Sequence, residues 1–177
     1  IFPTTSGKAR FVVPTDAITA ERCDAQYPLS LTTGRLRDQW HGMSRTGKLA
    51  RLYSHVDEPR IELHASELSA LGIATGTLVR VRSRRGAVIL RAHASAEVQP
   101  GQAFVAMHWG RQLLSSSGAN ELTLNAVDPA SQQPELKHAA VQIEAVDLPC
   151  QAILMRSAVY ADAANSLAIE RMAALAA

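Results

Sequence analysis

The sequence predicts a mainly β domain, a closed barrel or a sandwich, on three observations. Short apolar or alternating runs recur with turn residues between them at roughly every 8 to 12 positions. A single small helical pattern interrupts them before residue 150. The chain of 177 residues, 47% hydrophobic and 19% charged, is long enough for one core and has the composition of an ordinary globular domain.

The elements follow in order. ARFVV (9–13) reads as a short strand stopped by Pro14, which cannot donate to a ladder. PLSLTT (28–33) and IELH (61–64) are the next strands. Ser66 is placed to cap a short helix over ELSALG, and Gly72 ends it. In LVRVRS (78–83) apolar and basic residues alternate, and RRGA turns the chain back into VILRAHA (88–94), a hairpin with one wet face. VQPG is a turn, and QAFVAMHW (102–109) is a strand ending in two large polar aromatics. SSSGAN (115–120) links into a strand ELTLNAV (121–127). DPASQQPELK (128–137) is a Pro-bearing loop, and AAVQIEAV (139–146) is a closing strand. From about residue 151 the chain is Ala-rich and free of Pro and Gly, which predicts a helix.

Composition removes several function classes. A formal charge of +2 is too small for bulk nucleic-acid binding. The 15 arginines against three lysines (Lys8, Lys48, Lys137) suit bidentate contacts with phosphate or carboxylate, although a GC-rich genome gives the same bias. Cys23 and Cys150 match no zinc, iron–sulfur or disulfide spacing. No apolar run approaches the roughly 18 residues of a membrane helix, so no membrane partner is expected. The chain opens on Ile1 and reads as a piece of a longer protein. It holds no GxSxG, Walker, GxGxxG or HExxH motif. Asp38 and His41 stand at helical spacing without a third metal ligand nearby, and the scattered carboxylates nominate no acid–base pair.

What stands out is TTGRLRDQWHGMSRTG (32–47), which sets Arg35, Arg37, Arg45, Trp40 and His41 around Gly34 and Gly42 directly after a strand. Gly34 allows close backbone approach to a ligand, Thr33 and Arg35 can hold a phosphate, and Trp40 and His41 can stack on a heterocycle. A solvated loop with Trp40 plugging the core accounts for the same residues. His108 is either a satisfied rim histidine or a ligand contact, and Lys137 either a solvated strand-edge lysine or an anion contact. Arg80, Arg82, Arg84 and Arg85 are either a basic patch or the charged outer face of a hairpin.

Four stretches in order, LTTGRLRDQWHGMSRTG, IELHASELSALGIATGTLVRVRSRRG, VQPGQAFVAMHWG and NELTLNAVDPASQQPELKHAAVQIE, resemble the C-terminal dinucleotide-binding domain of the molybdopterin oxidoreductases. Within that family the TGR…WH…RT segment and the ending NELTLNAVDPASQQPELKHAAV look most like the assimilatory, cytoplasmic nitrate reductases. The resemblance implies a double-psi β-barrel over residues 25–147, with a lead-in at 1–24 and a helical extension at 148–177. It implies bis-molybdopterin guanine dinucleotide, with molybdenum, as the cofactor of the whole enzyme. An iron–sulfur cluster would lie in other domains, and the barrel itself would fold without a cofactor.

Carried over by position, the contact loop is Thr33, Gly34, Arg35, Leu36, Arg37, Asp38, Gln39, Trp40, His41 and Gly42. Met107 and His108 would close on the cofactor, and Asn120 and Lys137 would add polar contacts. The partners implied are the remaining domains of the same polypeptide, an electron-donor protein and nitrate. The isolated chain is expected to be inactive, because the cysteine ligand of the metal lies elsewhere in that family. A formate dehydrogenase relative shares the same barrel. From another class, a double-psi barrel acting as a protein-interaction module would turn Arg80–Arg85 toward a partner.

Overall fold

The computed structural model describes residues 2–11, 18–111, 113–114, 116–129, 131–147, 152–157 and 167–172. Six strands close into a barrel: β1 (Leu29–Gly34), β2 (Arg60–Leu63), β3 (Leu78–Arg82), β4 (Ala87–Ala94), β5 (Gln102–Ala106) and β6 (Ala139–Ala145). Their spatial order is β1-β5-β2-β4-β3-β6. β1 runs parallel to β5 and β2 parallel to β4, while the other seams are antiparallel. This is the double-psi barrel that was expected.

Alternation drives the closure. Along β1, β2, β3 and β4 every second residue is buried, and Leu29, Leu31, Ile61, Leu63, Val79, Val81, Val88 and Leu90 meet inside. Burying one such side chain contributes about 1.5–3 kcal/mol. The polar partners in the alternation face outward and pair there, as Arg60 does with Glu62 at 2.9 Å and Arg91 with Glu58 at 3.1 Å.

Helix α1 (Ala50–Tyr53), preceded by a 3-10 turn over Thr46–Lys48, was not legible in the sequence. Helix α2 (Ala65–Ala70) lies where expected, with Gly72 at φ +65 ending it. Its cap is His64, whose side chain accepts from the Ser66 N–H, and Ser66 is the capped residue.

Four further sequence expectations are corrected. Residues 9–11 carry no regular structure and Phe11 is 97% exposed; Val12 and Val13 lie outside the described residues. The strand expected at 102–109 stops at Ala106. No strand forms over 121–127: a 3-10 turn spans Gly118–Glu121, Leu122 drops into the core, and Val127 makes an isolated bridge to Pro134. A closed barrel has no free edge on which that run could pair.

The fourth correction concerns the tail, expected as a helix. Its described parts are strands, β7 (Ala152–Ser157) and β8 (Leu167–Met172), paired antiparallel from Ala152↔Met172 to Ser157↔Leu167. Alanine's helix preference amounts to a few tenths of a kcal/mol per residue, a bias that a hydrogen-bonded ladder overrides.

Arg80, Arg84 and Arg85 of the basic hairpin are held in ion pairs, while Arg82 is exposed. Arg80 meets Glu144 at 2.9 Å. Arg84 and Arg85 both close on Glu21, at 2.8 and 2.9 Å, and Arg84 also pairs with Asp24 and lies over the Tyr27 ring. The Glu21 side chain is only 8% exposed, and the Ala140 N–H donates to it at 2.8 Å. His138 bridges the Glu21 carbonyl and the Ser30 hydroxyl, each at 2.8 Å. One carboxylate thereby fastens the lead-in across β6 and the β3–β4 turn.

The Arg85 guanidinium, followed by the Ala140 N–H and Arg84, holds the Glu21 carboxyl at about 2, against the burial that works to raise it. A depressed carboxyl stabilises the fold above its unfolded value of 4.5, and that contribution is lost as pH falls toward 2. Glu21→Gln is expected to cost about 2–3 kcal/mol at pH 7 and progressively less below pH 4.5, read from denaturant unfolding across pH.

Candidate functional site

Strand register places the site. β1 and β5 exit the barrel side by side, with Gly34 opposite Ala106, and the Met107 N–H donates to the Gly34 carbonyl at 2.9 Å. At the same rim β6 begins near Leu31, β2 begins opposite β5, and β3 hands over to β4. The sequence-predicted residues at 33–42, 107–108, 120 and 137 therefore share one end of the barrel.

Gly34 has a steric task there: a Cβ would stand 2.8 Å from Cε2 of the Phe104 ring. The neighbouring Thr33 is buried, and its hydroxyl donates to the Leu136 carbonyl at 2.6 Å, while Lys137 Nζ donates to the Thr33 carbonyl. These two bonds fasten the segment before β6 onto the end of β1 and bring Lys137 to the root of the loop.

The loop sorts its own residues into two sets. Leu36, Met43 and Trp109 pack with Val56 and Ala106 in a second, smaller apolar cluster beneath it. Gln39 is 5% exposed; its amide donates to the Leu52 carbonyl at 3.1 Å and accepts from the Thr46 hydroxyl at 2.8 Å. His108, also buried, takes the Leu36 N–H on Nε2 at 2.9 Å. These residues form the frame.

The other set faces out. Arg35 stands 5.1 Å from the centre of the Trp40 ring, a cation–π contact, and Trp40 meets His41 edge-on at 4.5 Å. Trp40 is 55% exposed, so it does not plug the core. Arg37 grips Asp38 through two bonds of 3.0 Å, with His55 3.5 Å away, and the Arg37 guanidinium lowers the Asp38 carboxyl below its usual value. A Cβ at Gly42 would meet nothing within 4 Å, which leaves the backbone open to a ligand.

Asn120 is exposed on the 3-10 turn that lies against the β3–β4 hairpin, where a Cβ on Gly86 would come within 2.9 Å of the Glu121 carbonyl oxygen. Met107 is half exposed beside Gly34. Cys23 is exposed and free, and Cys150 lies outside the described residues. Among the described residues no group of histidine, cysteine or carboxylate side chains is arranged to hold a metal ion.

The family model described as "Molydopterin dinucleotide binding domain" matches residues 29–140. The chain belongs to this family. It is 40% identical over 137 residues to a nitrate reductase of Klebsiella oxytoca, covering 77% of this chain and 16% of that protein. It is 33% identical over 172 residues to a nitrate reductase of Shewanella frigidimarina, covering 86% and 18%. An F420-dependent formate dehydrogenase subunit alpha of Methanocaldococcus jannaschii is 32% identical over 145 residues, covering 82% and 21%. The chain thus spans about a sixth to a fifth of the length of these relatives. Among solved structures, acetylene hydratase from Pelobacter acetylenicus superposes with a TM-score of 0.54 at 18% identity, covering 67% of this chain and 18% of that one, and shares the fold.

The sequence reading missed Gln39 as a frame residue and Glu21 as the clamp on Arg84 and Arg85, and it left His108 open between a satisfied rim histidine and a ligand contact. Each depends on a partner between 13 and 72 residues away along the chain, so no local pattern signals it. Gly34→Ala is expected to destabilise the fold by about 1–3 kcal/mol through the Phe104 ring, and Phe104→Leu in the same chain to recover most of it in urea unfolding. Gln39→Ala is expected to cost about 1–3 kcal/mol and Trp40→Ala less than about 0.5 kcal/mol, because only the first removes a buried hydrogen-bonded group.

Proposed function

We propose that this chain is the C-terminal cofactor-binding barrel of a molybdenum oxidoreductase that reduces nitrate to nitrite. The rim loop would hold the pterin guanine dinucleotide. The observation that carries the reading is the sorting of the loop: a buried frame of Leu36, Gln39, Met43 and His108 beneath an outward face of Arg35, Trp40, His41 and Gly42. The donor set fits such a group. Arg35 and Lys137 supply charge-assisted hydrogen bonds to phosphate oxygens. Asn120 offers donor and acceptor together to a pterin or guanine edge, and Trp40 offers an apolar ring face.

When bound, the molybdenum cofactor supplies the electron transfer and oxygen-atom removal that nitrate reduction requires. The chain's own part is to bind, orient and shield. Similarity to nitrate reductases over most of its length supports nitrate as the substrate of the whole protein. The assimilatory branch, a cytoplasmic setting, an iron–sulfur cluster in other domains, and an electron-donor protein as partner belong to the same reading. No helix among the described residues is long and apolar enough to cross a membrane. The relative that is a formate dehydrogenase favours a second reading, in which the same barrel serves formate oxidation. Nitrate- and formate-dependent turnover of the whole enzyme separates the two.

A titration of this chain with GDP and separately with ATP, followed by two-dimensional amide NMR, tests the binding role. Shifts at residues 35–42, Asn120 and Lys137 that are selective for GDP and vanish in Arg35→Ala are expected. Shifts confined to the Arg80–Arg85 hairpin and equal for both nucleotides would overturn the site assignment.

A further inference from the structure

The imidazole of His108 is 2% exposed, and both of its nitrogens are engaged by the backbone of the rim loop. The Leu36 N–H donates to Nε2 at 2.9 Å, and Nδ1 lies 2.5 Å from the His41 carbonyl oxygen. An amide N–H only donates and a carbonyl only accepts, so the two partners assign the ring: Nδ1 carries the proton and Nε2 the lone pair. One side chain therefore ties both ends of the arc from Leu36 to His41.

The far end of that arc needs holding. His41 sits at φ 47 and Met43 at φ 60, in the left-handed region that residues with a Cβ keep only when their surroundings enforce it. The His108 bond falls on the carbonyl of the first of these residues. Further restraint comes from the Thr46 hydroxyl, which accepts the Trp40 N–H at 3.2 Å, and from the burial of Met43. At this left-handed bend Trp40 lies edge-on to His41 and under Arg35, and the three compose the outward face.

We propose that His108 is the positioning residue of this loop. Its Nδ1–H tautomer locks the Leu36–His41 arc so that Arg35, Trp40 and His41 present one preorganised face before a ligand arrives. Its place is behind the loop, with no nitrogen left to meet the dinucleotide. The proposal rests on the reading of the loop as the dinucleotide site, and preorganisation is what converts its contacts into affinity.

The first test needs no ligand. Nitrogen-15 NMR of the His108 ring in the full chain is expected to show the Nδ1–H form, and the Leu36 amide to exchange slowly. The Nε2–H form, or an unprotected Leu36 amide, would overturn the assignment. In His108→Phe, exchange across residues 35–43 is expected to rise about tenfold or more while protection in β1–β6 is unchanged, and GDP affinity to fall about tenfold.

His108→Asn keeps a donor near the Nδ1 position and His108→Gln an acceptor near the Nε2 position, so each is expected to recover protection at one end of the arc. These two variants carry the test if His108→Phe does not fold. Loop exchange that rises with GDP affinity unchanged would overturn the positioning role. Absence of GDP binding in the unmodified chain would sink the dinucleotide reading and leave the tautomer and exchange results standing by themselves.

Discussion

The parallel pairing of β1 with β5 is the constraint on which the rest of the site depends. Parallel neighbours leave a sheet at the same end, so the chain after Gly34 and the chain after Ala106 emerge together. That adjacency lets one segment carry the exposed Arg35, Trp40 and His41 and the other carry the buried His108 that holds them. An antiparallel pairing of these strands would have sent the two exits to opposite rims. The close approach also makes Gly34 a steric requirement, because the Phe104 ring of β5 fills the space a side chain would need.

Charge is used in two ways around this frame. On the β3–β4 hairpin, three arginines are neutralised within the chain: Arg84 and Arg85 converge on Glu21, and Arg80 meets Glu144. They bind the lead-in and close the sheet, which removes most of the basis for reading that hairpin as a partner-facing basic patch. At the rim, Arg35 lies over an aromatic ring and Arg37 is matched by Asp38. A guanidinium resting on a ring face keeps its N–H groups directed outward, so Arg35 retains its capacity for a bidentate anion contact. Similar residues thus do unlike work on two parts of one barrel.

Most of the barrel was legible in the sequence because alternation is a local property. The runs at 28–33, 61–64, 78–83, 88–94 and 139–146 each bury every second residue over most of their length, and each became a strand within a residue or two of its expected bounds. The run at 121–127 carries a similar pattern and formed none, since its outcome depended on a free sheet edge that closure had removed. The Ala-rich tail shows the converse case, in which a local helical preference gave way to pairing between 152–157 and 167–172.

For the site, the sequence by itself determined the chemistry on offer: a run of Arg, Trp, His and Gly directly after a strand, a pattern that resembles a dinucleotide-binding loop. It could not sort that run. Leu36 and Gln39 point into the frame while Arg35 and Trp40 face out, and nothing in their spacing distinguishes a ligand contact from a strut. The tertiary structure made that decision by bringing His108 up from 72 residues away and Leu52 from 13. The physical reason is that a buried polar group must find a partner, and which side chains are buried is set by the strands that close beneath the loop.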